Sequence, residues 1–132
     1  MLVSLLLFDK KTLSDKYDYL APDGSEIRLL LDMKGGGLCH CTLPPSGISR
    51  AIYHKSVEEI CYFIEGKGRV RRKQGDREVV NVEPGVCVTI PANANFQFRN
   101  DTDDGNLTFV IVTMPNWPGE EEAVEIANHW NE

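Results

Sequence analysis

The sequence predicts an all-β fold, a sandwich or barrel of short strands, and three observations carry that prediction. Short apolar runs rich in Val, Ile, Leu and Phe recur along the chain. Gly and Pro punctuate them at close intervals, as turns between strands require. No segment before residue 119 has the apolar period of an amphipathic helix. In chain order, "EIRLLLDM" (26–33) is stopped by "KGGG", and "LCHCTL" (38–43) by "PPSG". "EICYFIEG" (59–66) ends in the turn "GKG". "RVRRK" (69–73) and "REVVNV" (77–82) read as a hairpin turning at Gln74–Asp76. "EPG" introduces "VCVTI" (86–90), and "PANAN" introduces "FQFRN" (96–100). After the polar loop 101–106 comes "LTFVIVTM" (107–114). In the tail, 115–132, a proline and three early acids suit a helix N-terminus. A turn or two of helix, or an acidic irregular segment, is expected there.

The chain has 132 residues, the size of one domain, 1–132, with room for a real core. A net charge of −6 argues against nucleic acid, which selects a basic surface. No stretch is long enough to cross a membrane as a helix. The N-terminal run "MLVSLLLF" lacks a basic leader and a small-residue cleavage pattern, so it reads only weakly as a signal peptide. It is expected to be an edge strand over 1–8, and an unpaired apolar edge invites a second copy, so a homodimer is predicted. Cys39, Cys41, Cys61 and Cys87 all sit inside strand-like runs, which suits buried, reduced thiols and a cytoplasmic location. "CHC" at 39–41 is a poor zinc site, because Cys39 and Cys41 share a strand face while His40 points the other way.

Two clusters carry a family resemblance. His54 is followed by four residues and Glu59, then six residues and Gly66. Gly85 is followed by five residues and Pro91, with Phe96 and Asn100 further on. This spacing resembles the two motifs of the cupins, at about 50–66 and 85–100. The resemblance implies a double-stranded β-helix, the cupin jelly-roll barrel. Cupins usually bind one divalent metal through three histidines and a glutamate. The matching positions here are Ile52, His54, Glu59 and Phe96. Isoleucine and phenylalanine donate no electron pair, so no cofactor is expected, and at most a weakly held divalent metal on His54 and Glu59. His40 turned inward would rebuild a two-histidine, one-carboxylate set. Cys61 would add a softer ligand.

Alternation supplies the expected lining. With His54 inward, Ile52 and Arg50 follow. With Glu59 inward, Cys61 and Phe63 follow, and with Phe96 inward, Phe98 follows. The result is an apolar cavity with three polar groups, the usual make-up of a small-molecule site. His54 and Glu59 are expected to form an acid–base pair, the glutamate orienting the imidazole. Arg50 is expected to clamp an anionic metabolite through its planar fork. Isomerase, lyase or cyclase chemistry fits this set. The alternatives are a non-catalytic binding module and a metal-dependent dioxygenase with rearranged ligands. Tyr53, Tyr62 and Arg99 fall on the outer face, and Trp117 between two prolines reads as packing or as a lid over the barrel mouth.

Overall fold

A strand that buries alternate side chains needs a second layer to bury them against. The computed structural model describes residues 8–130, apart from the Glu120 side chain. In it, two antiparallel sheets face each other. The larger runs in the order β1 (Tyr19–Leu20), β2 (Glu26–Met33), β3 (Gly36–Leu43), β10 (Leu107–Met114), β5 (Glu58–Glu65) and β8 (Cys87–Ile90). The smaller runs β11 (Ala123–Glu125), β4 (Ile52–His54), β9 (Asn95–Asn100), β6 (Gly68–Gln74) and β7 (Asp76–Val82). Every strand expected from the sequence between residues 26 and 114 is present, with ends moved by no more than two residues. The unexpected strands β1, β4 and β11 are too short to show alternation.

Strand β5 shows why the sequence folds this way. Glu59, Cys61 and Phe63 are buried, while Glu58, Ile60 and Tyr62 are exposed. The inward set meets β10 and β8, with Cys61 opposite Ile111 on one side and Val88 on the other. One end of the barrel is filled by Phe63, Phe98 and Phe109, with Phe109 stacked 4.8 Å from each of the other two rings. Burying three such side chains contributes several kcal/mol.

Gly66 closes β5 at φ 87°, in the left-handed region, and an added Cβ would collide with the Asn106 carbonyl. Gly66→Ala is therefore expected to cost about 2 kcal/mol or more, read as a lower urea midpoint. An unchanged midpoint would show that the turn can relax.

The tail has one helical turn, of 3-10 type, at Glu120–Glu122, and then the unexpected strand β11. The cause is a pairing that local propensity does not record. Ala123, Val124 and Glu125 pair with His54, Tyr53 and Ile52 along the edge of β4. The Glu122 carboxylate accepts hydrogen bonds from Ser56 N (2.6 Å), Ser56 Oγ (2.8 Å) and Val57 N (2.7 Å). The edge strand expected over 1–8 lies outside the described residues except for Phe8, which is fully exposed and in no strand.

Candidate functional site

The unfilled end of the barrel holds a cavity of about 500 Å³. Its walls are mostly apolar: Ile27 from β2, Ile52 from β4, Phe96 and Phe98 from β9, and Ile111 from β10. His54, the last residue of β4, and Glu59, the second of β5, face each other across it.

The two are nearly dehydrated, with His54 3% and Glu59 6% exposed. His54 Nδ1 lies 3.8 Å from Glu59 Oε2, beyond hydrogen-bond reach. Nδ1 is buried and has no hydrogen-bond partner. The ring is held edge-on between Phe96 (5.0 Å) and Trp117 (4.9 Å). Burial disfavours the imidazolium and pushes His54 down to about 4, against an opposing pull from Glu122. Burial drives the Glu59 carboxyl well above its usual range, and the field of Cys39 and Asp23 adds to this. His54 is thus a neutral imidazole near pH 7, and burial shifts Glu59 toward the protonated acid. A buried polar group left unpaired costs about 1–3 kcal/mol. His54 Nδ1, such a group at the cavity wall, marks a place where a ligand supplies what the protein does not.

Several expected lining residues are elsewhere. Arg50 is exposed and outside the cavity: its N donates to Asp23 O (2.7 Å) and its Nη1 to Pro22 O (2.8 Å). Alternation fails there because β4 begins only at Ile52, and Ala51 and Ile52 are buried in succession. Cys61 and Phe63 do point inward, but into the packed core and not onto the cavity wall. His40 lies on the opposite face of β3 from the wall residue Cys39, so it does not join His54 and Glu59. The four cysteines are free thiols, and Cys87, expected inside, is exposed on β8.

Other wall residues escaped the sequence reading. Asp23 and Ser25 line the cavity, both buried, with Asp23 Oδ1 accepting from Ser25 N (3.0 Å) and Ser25 Oγ (2.6 Å). "APDGSE" reads as a turn, which hid them. The structure buries Asp23, Ser25 and Ile27 in alternation, so the one available signal was the strand period of two counted back from Ile27. Tyr19 from β1 and Trp117 from the loop after β10 also reach the wall.

The metal that the resemblance implies does not fit these donors. Of its four positions, Ile52 and Phe96 close the wall with hydrocarbon. Among the described residues, no group of three His, Cys, Asp or Glu side chains is close enough to hold an ion. One imidazole and one carboxyl fall short of the three protein ligands that a catalytic site keeps.

The Cupin domain family matches residues 39–113. A search of curated proteins found no match. Solved structures with the same fold include TT1209 from Thermus thermophilus, at 20% identity over 76% of this chain and 92% of that one, TM-score 0.62. A Klebsiella pneumoniae protein with a double-stranded β-helix domain is 14% identical over 91% and 100%, TM-score 0.69. Streptomyces PAC13 with uridine is 11% identical over 90% and 92%, TM-score 0.69. The family match begins on β3 and ends on β10, enclosing both motifs, His54 and Glu59, and on that ground the chain belongs to the cupin family.

Proposed function

We propose that this cupin holds a small organic molecule in the barrel cavity and moves a proton on it, with His54 as the base and Glu59 as the acid. The observation that carries the reading is the unpartnered, buried His54 Nδ1 facing a Glu59 carboxyl 3.8 Å away. Burial shifts each group toward the neutral form its role needs, an imidazole free to accept and a carboxylic acid free to donate. The gap is too long for a direct bond, and one ligand atom beside the pair, off the line that joins them, would reach both. Such a pair suits isomerase, lyase or cyclase chemistry, in which a proton leaves one position of the ligand and returns at another. Apolar walls exclude water and sharpen both interactions. Simple storage of a ligand is the rival reading, and isotope exchange separates the two.

A metabolite found by thermal shift is expected to lose about tenfold or more in affinity with His54→Gln. In deuterated buffer the same compound is expected to take up deuterium at carbon with the parent protein and not with Glu59→Gln. Binding without deuterium uptake would leave a binding module. Affinity indifferent to both substitutions would put the ligand elsewhere.

A further inference from the structure

Resting on the reading of this cavity as a ligand site, we propose that its ligand is an organic ammonium, seated between the carboxyls of Asp23 and Glu59. The charge of the wall points this way. Asp9, Asp23, Asp32 and Glu59 line the cavity against a single cationic side chain among the described residues, Lys11. Arg50, the cation expected inside, lies outside with its guanidinium bonded to Pro22 O. A low-dielectric cleft lined by one sign of charge concentrates ligands of the other sign, and the net charge of −6 acts in the same direction.

The depth of the two carboxyls adds a second argument. Asp23 and Glu59 are each 6% exposed. Asp23 spends Oδ1 on Ser25, and no side chain among the described residues donates a hydrogen bond to its Oδ2 or to the Glu59 carboxyl. His54 Nδ1 is buried without a partner in the same wall. Asp23, Glu59 and neutral His54 thus all line one cavity with acceptor capacity to spare, and an ammonium is a donor with no acceptor of its own. Burial raises both carboxyls above their ordinary range, although the Ser25 bonds and the outlying Arg50 pull Asp23 back. A cation beside Asp23 favours its charged form, while Glu59 can accept through its carbonyl oxygen and keep its proton. Trp117, Tyr19 and Phe96 supply aromatic rings to the same wall, and a ring face attracts cations through its quadrupole. A carboxylate in the same place would meet Asp23 and Glu59.

Three probes of one size and three charges test this: benzylamine, benzyl alcohol and benzoate, titrated calorimetrically into the whole chain near neutral pH. Benzylamine is expected to bind about tenfold tighter than the alcohol, with benzoate weakest. Asp23→Asn keeps the Oδ1 acceptor that Ser25 uses, so the turn survives. It is expected to weaken benzylamine about tenfold and leave the alcohol unchanged. Equal affinities, tighter benzoate, no benzylamine binding at millimolar concentration, or indifference to Asp23→Asn overturns the proposal. Proton transfer stands or falls separately. Benzylamine preference without deuterium uptake by any ligand keeps the ammonium site and removes the acid–base reading. Deuterium uptake by a neutral ligand, with no benzylamine preference, does the reverse.

Discussion

Glu59→Gln is expected to gain stability relative to its parent as pH rises from the ordinary carboxylate range toward the raised folded value of Glu59. Burial, with Cys39 and Asp23 adding to it, holds the Glu59 carboxyl well above 4.5 in the folded chain. The folded state therefore keeps a proton that the unfolded state has released. Such a group favours the fold below its unfolded value, and that contribution is lost as pH rises toward the folded value. The loss runs at up to about 1.4 kcal/mol per pH unit. Glutamine keeps the shape and has no proton to lose. His54 works in the opposite sense on the acid side. Its folded value of about 4 lies below the ordinary 6.5, so it withdraws about 3 kcal/mol of stability as pH falls from 6.5 toward 4. Urea midpoints of the parent, Glu59→Gln and His54→Gln near pH 5, 7 and 9 read both limbs. Curves for parent and Glu59→Gln that stay parallel would mean a charged Glu59 in the fold.

Asn100→Ala is expected to cost about 3–5 kcal/mol, a loss large enough to threaten folding at ordinary temperature. Asn100 ends β9 and is 2% exposed. Its Nδ2 donates to Leu43 O (3.0 Å), Pro44 O (3.0 Å) and Gly105 O (2.9 Å). Its Oδ1 accepts from Thr102 N (2.9 Å) and Thr102 Oγ1 (2.7 Å). One side chain thus ties the end of β3 to the loop between β9 and β10. Asn100→Asp turns the donor into an acceptor facing three carbonyls and is expected to lose at least as much near neutral pH. Denaturant melts decide the matter, and a loss under about 1 kcal/mol would show that water replaces the amide at little cost.

Most strands were legible because apolar runs of four or more residues stand between Gly and Pro turns, and in β5 the alternation is plain as well. The motif spacing was legible too, yet Gly66 and Asn100 belong to the architecture and not to the chemistry. Gly66 lets Asn106 approach, and Asn100 binds two segments together. His54 and Glu59 were legible from spacing and the strand period. Arg50 misled because three residues of β4 cannot carry alternation backward past Ala51. Asp23 was hidden by turn composition, and Glu122 by its distance of 66 residues from Ser56. Contacts of that range are chosen by tertiary fit, which no local window contains.

The two tryptophans have an optical consequence. Trp130 lies on the outside of the smaller sheet, over Arg69 at 5.6 Å and Arg99 at 5.9 Å. Trp117 stands in the cavity wall, edge-on to His54. With Trp130 changed to Phe, all indole emission would arise beside the one imidazole of the site, and an imidazolium quenches an excited indole more strongly than a neutral ring does. The chain then carries its own fluorophore at the mouth of the barrel. Occupancy of the cavity and the proton on His54 become readable as intensity and colour, with no added label.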